Sequence, residues 1–291
     1  YGDFISADTL SKGWVTFDSR PRFGTNYFGL RGGISILSEA YSHDPMQRRV
    51  AATYSFVSEI LSLVAERAPR IRSLSETTGS QRVFTTDAGT AGGVTSERRV
   101  VPLRARMVAG PAPTGVVAET IERTGDSART EPGVPRGRRR TGRFTTVRMP
   151  VFDRFVPTVW QTEPVGYVIA PADTLVVALL RRHGVQVETL QREWTGGVGI
   201  FSIDSAVASP RLFQGHREMR LEGRWTNGDR RLPAGSFVVR TSQPLGLLAV
   251  YLLEPQSDDG VVTWNYFDAA ARAGGEFPIM RVLTQLPSSS Q

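Results

Sequence analysis

The strongest constraint on the fold lies between Asp44 and Pro69, where Val50, Tyr54, Val57, Leu61 and Val64 recur at alternating spacings of four and three. Residues so spaced share one face of an α-helix, so the stretch predicts a long amphipathic helix ending near Pro69 and needing an apolar neighbour. Asp44 is placed to cap this helix, and Pro45 fits its first position, where a missing N–H costs nothing. Just upstream, Gly33-Ile34-Ser35-Ile36-Leu37-Ser38-Glu39-Ala40-Tyr41 is a β-branched run of strand length, read as a buried strand. A strand leading into a helix with one apolar stripe is the unit from which α/β sheets are built. Residues 1–75 therefore predict the closing section of an α/β domain.

From Ser73 to Gly142 the chain is rich in Ser, Thr, Gly and Arg, with short apolar runs at Val100–Val108 and Val116–Ile121. This predicts a linker with short strands over 76–160. Tyr167-Val168-Ile169 then leads into a helix over Pro171–His183, with Leu175, Leu179 and Leu180 as core and Gly184 as its stop. Val185–Leu190, Glu218–Trp225, Phe237–Arg240, Leu247–Leu253 and Val261–Trp264 read as strands between turns such as Asn227-Gly228-Asp229. Residues 161–291 thus predict a mostly β accessory domain with one helix, and no internal repeat is visible.

Composition narrows the function classes. No apolar run approaches the roughly 20 residues needed to span a bilayer, and Tyr167–Leu180 is interrupted by Pro171 and Asp173, so no membrane span is expected. The chain opens at Tyr1 without Met or a signal-like segment, which predicts a natural start further upstream. With no cysteine, disulfides and a thiolate nucleophile are excluded. The net charge of +7 is carried almost wholly by arginine, Lys12 being the sole lysine. One cluster is dense: Arg136, Arg138, Arg139, Arg140 and Arg143. Its neighbours Pro132, Gly133, Pro135, Gly137 and Gly142 predict a solvated flexible loop. A nucleic-acid site would interleave such charges with stacking aromatics, so a nucleic-acid partner is the weakest alternative.

The sharpest chemical feature is Glu39, a carboxylate at the C-terminal end of the predicted strand. In open α/β sheets the ligand crevice lies outside the carboxyl ends of the strands, which places such a group for catalysis. Helix capping or an ion pair with a nearby arginine is the alternative.

The segment Gly13-Trp14-Val15-Thr16-Phe17-Asp18-Ser19-Arg20-Pro21-Arg22-Phe23-Gly24-Thr25-Asn26-Tyr27-Phe28-Gly29-Leu30-Arg31 continues through Leu37-Ser38-Glu39-Ala40-Tyr41-Ser42 to Arg49-Val50. It resembles the end of the catalytic domain of bacterial M14-type zinc metallocarboxypeptidases, the carboxypeptidase A-like family. The resemblance implies that Glu39 is the general base that activates the attacking water and then protonates the leaving amine. Arg22, Asn26, Tyr27 and Arg31 lie in the matching segment and are candidates for lining the substrate pocket; surface ion pairs or sheet hydrogen bonds are the alternative roles. Gly32-Gly33 stand where many relatives carry Asn-Arg.

The family binds zinc through a His-x-x-Glu pair and a later histidine. His43, His183 and His216 are each followed three residues on by Met46, Gln186 and Met219, so no metal ligand is assigned to this chain. The resemblance then implies zinc in the complete protein, ligands upstream of Tyr1, and a chain that is inactive alone. Leu232–Gly246, Tyr251–Gly260 and Thr263–Asp268 likewise resemble the region that follows the peptidase domain. There Glu254, Asp258, Asp259 and Asp268 lack calcium-loop spacing; Pro255–Gly260 reads as a turn, and Trp264, Tyr266 and Phe267 as core-filling aromatics. By resemblance the partners are a peptide substrate and the missing N-terminal part of the catalytic domain, and the location is secreted or periplasmic. A non-catalytic β-rich binding module, or a degenerate peptidase scaffold, is the competing reading.

Overall fold

The computed structural model describes residues 2–6, 9–40, 44–80, 99–128, 134, 136–284 and 286. In chain order they form β1 (Gly2–Phe4), β2 (Trp14–Thr16), α1 (Gly24–Leu30), α2 (Met46–Ser80), β3 (Val100–Ala109), β4 (Thr114–Arg123), β5 (Arg138–Met149) and β6 (Val151–Thr162). There follow β7 (Gly166–Ile169), α3 (Thr174–Arg182), β8 (Glu188–Thr189), β9 (Trp194–Ala208), β10 (Met219–Leu232), β11 (Phe237–Arg240), α4 (Gly246–Leu253) and β12 (Met280–Val282). The content is mixed α and β with a β-rich second half. The stretch 76–160, expected to be a linker with short strands, instead holds β3 to β6, each of 10 or 12 residues.

The chain divides into two compact units, both built from discontinuous segments. One takes the described residues within Tyr1–Ser19, Ile36–Ile71 and Arg106–Val156; the other takes those within Arg20–Ser35, Arg72–Ala105 and Pro157–Gln291.

In the first unit β1 and β2 form an antiparallel pair with Asp3 opposite Val15, and β2 runs parallel to β6 with Trp14 opposite Val151. Strands β4 and β5 form a long hairpin from Thr114 opposite Met149 to Arg123 opposite Arg138. The arginine cluster is therefore strand, not the expected loop, from Arg138 through Arg143. The reason is cross-strand charge: Glu122 stands opposite Arg139 and pairs with it, and Glu119 reaches Arg140 at 3.8 Å. Pro132, Gly133 and Pro135 lie outside the described residues.

Two features of the strand-then-helix reading come out differently. Gly33–Ala40 has no regular structure, and Ile34, Ile36 and Leu37 are exposed. A strand forms only where a neighbour answers its N–H and C=O groups, and no described strand pairs with this run. Tyr41 and His43 lie outside the described residues. Helix α2 begins where predicted, yet it passes Pro69, with a non-helical Arg67 (φ −110°, ψ 16°) marking a kink. Proline has no N–H and its ring collides with the carbonyl four residues back, which kinks rather than ends this helix. Val50, Tyr54, Val57, Leu61 and Val64 are all exposed, so the apolar stripe is present and uncovered among the described residues.

The second unit is organised on a six-stranded antiparallel sheet, order β10-β9-β12-β7-β11-β8. Strand alternation splits its core: Tyr167, Ile169 and Val239 join α3 and α4 in the larger cluster, while Val168, Val238 and Val282 join the smaller one. The register shift in the β9–β10 ribbon falls at Gly223, where a Cβ would stand 2.1 Å from the Ser202 carbonyl and 2.7 Å from the Phe201 ring. Helix α3 forms as expected, and Gly184 closes it with φ +83°.

Four expectations in this unit are corrected, the first being the turn at Asn227-Gly228-Asp229, which lies inside β10 and is paired with Gly199, Val198 and Gly197 of β9. Leu247–Leu253 is helix α4 rather than a strand, because an apolar run buried on all sides carries no period that separates the two forms. The accessory region accordingly holds two helices. Val261–Trp264 is a series of turns, with Trp264 N–H donating to the Gly260 carbonyl and Tyr266 N–H to that of Val261. Val185–Leu190 contributes only the two-residue β8.

Candidate functional site

The site grows from the chain leading into α1 and the turns that follow α4. Arg22 is half-buried there with its side chain tucked in, and Asp259, only 4% exposed, receives it: the Arg22 amide donates to Asp259 Oδ2 at 2.6 Å and Arg22 Nε to Oδ1 at 2.8 Å. The Trp264 indole N–H donates to the same Oδ1 at 2.9 Å. A second carboxylate, Glu218, pairs with Arg22 and lies 3.3 Å from Arg20. The Arg22 guanidinium also stacks over Phe213 at 4.5 Å and Trp264 at 5.0 Å, so its charge is met by two carboxylates and two ring faces. Next to it His216 stacks on Trp264 and shares a 2.6 Å hydrogen bond with Asn265, a residue held at φ +64°.

The facing wall comes from α3. Leu175, Leu179 and His183 are four residues apart, so they share one helix face, while Val176, Val177 and Leu180 enter the core on another. His183 Nδ1 lies 2.8 Å from the Tyr27 hydroxyl, and Arg31 donates to that hydroxyl at 3.1 Å and to the His183 carbonyl at 2.6 Å. Burial, reinforced by the charges of Arg31 and Arg182, pulls the His183 pKa below the ordinary histidine value and favours neutral imidazole. Between these walls, with Leu248 and Leu252 of α4 and Val261, Tyr266 and Pro21, lies a cavity of about 590 Å³.

Two of the four residues expected to line a substrate pocket, Arg22 and Tyr27, do line this cavity. Asn26 instead donates to the Arg20 carbonyl at 3.2 Å, and Arg31 braces Tyr27 and the end of α3 from outside the lining. Glu39 is exposed in the irregular stretch of the first unit. Leu175, expected in the core, is 75% exposed at the rim of the cavity. Asp259, read from sequence only as part of a turn, is the buried centre of the site. The adjoining Glu254, wholly buried, accepts from Tyr167 at 2.6 Å and from Arg281 at 2.8 Å, and so ties β7 and β12 to the end of α4.

The described residues do not fit a zinc site. No group of three or more His, Asp or Glu side chains is gathered among them in a way that would hold a metal ion. His183 and His216 each use Nδ1 in a hydrogen bond with a neighbour. No helix of the described residues is long and apolar enough to cross a membrane.

Comparison with curated proteins finds fungal carboxypeptidases. The chain is 28% identical over 122 residues to carboxypeptidase 2 of Trichophyton tonsurans, a match covering 42% of this chain and 22% of the relative. It is 26% identical over 126 residues to carboxypeptidase 2 of Trichophyton rubrum, covering 43% and 23%. With carboxypeptidase 2 of Trichophyton equinum the identity is 27% over 122 residues, covering 42% and 22%. The chain thus spans about a fifth of the length of the curated relatives it matches. No family model and no solved structure matches the chain. The chain therefore contains a carboxypeptidase-related region; the expected bacterial affinity is not supported, since the matched relatives are fungal.

Proposed function

We propose that this chain is part of an M14-type zinc carboxypeptidase, with Glu39 as its general base and with the metal ligands supplied from outside these residues. The observation that carries the reading is the similarity to proteins named carboxypeptidase 2, which are several times longer than the matched region. The state of the Glu39 segment supports it: Ile36 and Leu37 beside it, and the residues of the α2 stripe after it, are exposed apolar side chains that stability favours covering. Once the segment is paired in a sheet, the Glu39 carboxylate takes a proton from the attacking water and delivers it to the amine that leaves. Within the second unit Arg22 and Tyr27 serve substrate contact, and the protein acts outside the cytoplasm on peptide C-termini.

The test is release of C-terminal amino acids from peptides by the complete protein, with the bound metal measured alongside. Activity that disappears with the zinc on chelation and returns with it bears the reading out. A complete protein that binds no zinc and releases no amino acid contradicts it and favours the competing reading of a binding module built on the second unit.

A further inference from the structure

The β4–β5 hairpin of the first unit has two unlike faces. Residues opposite one another in an antiparallel pair turn to the same side, so Val117, Arg123, Arg138, Arg140, Phe144 and Arg148 share one face. The other face buries Ala118 and Met149, and its arginine, Arg139, is paired with Glu122. On the outer face the sole carboxylate of the ladder is Glu119, opposite Phe144. It reaches Arg140 at 3.8 Å and takes the Gly142 N–H at 2.8 Å. Arg123 and Arg148 meet no carboxylate among the described residues, and Arg148 gives an N–H to the neutral Pro113 carbonyl. This face therefore carries surplus positive charge. Among the arginines Phe144 is 68% exposed and Val117 67%, on successive rungs of the same face. Single exposed apolar residues are ordinary, but two side by side within a cationic face mark a contact surface. A nucleic acid would answer the charge and could stack a base on Phe144, yet Val117 offers it no stacking surface. An anionic lipid surface answers both features, its phosphates taking the arginines and its acyl boundary the two apolar side chains.

We propose that this face of the hairpin docks on an anionic lipid surface, with Arg123, Arg138, Arg140 and Arg148 at the headgroups and Val117 and Phe144 inserted between them. Docking of this kind is independent of the peptidase chemistry.

The test is sedimentation of the full chain with vesicles of phosphatidylcholine alone and of phosphatidylcholine containing about one-third phosphatidylserine. The anionic vesicles are expected to bind at least about tenfold more tightly, with the advantage shrinking as salt is raised toward about 0.5 M. An arginine near such a surface is worth roughly fivefold in affinity, so Arg123→Gln combined with Arg148→Gln should weaken binding by about 25-fold. Phe144→Ser leaves the charge alone and should weaken it by at least about fivefold. Arg224→Gln combined with Arg231→Gln removes the same charge from β10 of the second unit and should change the affinity by less than about twofold. Circular dichroism confirms that each variant is folded. No binding to anionic vesicles, equal binding to both kinds, an equal loss in the β10 variant, or no loss in Phe144→Ser overturns the proposal. So does tighter binding of a single-stranded oligonucleotide than of the anionic vesicles, which would make the occupant a nucleic acid.

Discussion

Replacing Asp259 by asparagine removes one charge and leaves the shape of the side chain almost unchanged, so it isolates the electrostatic role of the residue. Oδ2 accepts the Arg22 amide at 2.6 Å, while Oδ1 accepts Arg22 Nε at 2.8 Å and Trp264 Nε1 at 2.9 Å. In the amide one of these oxygens becomes a donor, so whichever way the group turns, an N–H faces an N–H. Arg22, with its side chain 5% exposed, is then left to Glu218 alone. Breaking a buried pair from one side costs about 3–5 kcal/mol, a large share of the roughly 5–15 kcal/mol that holds a typical domain. The expected result is a fall of that size in urea unfolding followed by tryptophan fluorescence, with the midpoint lowered and the slope unchanged. Combining Asp259→Asn with Arg22→Met should cost less than the sum of the two, because the second change removes the unpaired charge. A loss under about 1 kcal/mol, or additivity within about 0.5 kcal/mol, would refute the claim that this pair organises the site.

Two further outcomes are expected. His183 is held below the ordinary histidine value of 6.5, first by burial and then by Arg31 and Arg182. The unfolded chain therefore binds the additional proton, so this contribution to stability is complete above about pH 6.5 and is lost as pH falls toward the folded value; His183→Gln should flatten the stability profile between about pH 7 and 5, and an unaltered slope would contradict the assignment. Gly246→Ala places a Cβ 1.8 Å from the Thr241 carbonyl, a contact with backbone that cannot rotate away, and is expected to cost at least about 1–3 kcal/mol by calorimetry; a neutral result would contradict the packing of α4.

How much was legible in the sequence depended on whether a segment's partners were local. Helix α3 was readable because its stop, Gly184, and its stripe lie within the helix itself. The stripe on α2 was readable for the same reason, although Pro69 proved a kink rather than an end. The run at Gly33–Ala40 has strand composition, but composition cannot supply the neighbouring strand that a ladder requires, and the run is irregular. Leu247–Leu253 failed for another reason: with every side buried, helix and strand look alike in sequence. Arg22 and Tyr27, picked out through a local motif, line the cavity of the second unit. Asp259 was missed because its importance rests on Arg22, 237 residues away in sequence, and no local signal marks such a pair.

The measurement that tests the central claim most directly is turnover by the complete protein carrying Glu39→Gln, with bound metal quantified in the same preparation. Loss of a general base predicts wild-type metal content and a fall in kcat of about 10²–10⁴-fold, since a neutral amide cannot take the proton from the attacking water. Near-normal turnover with metal bound would remove Glu39 from the mechanism and contradict the account.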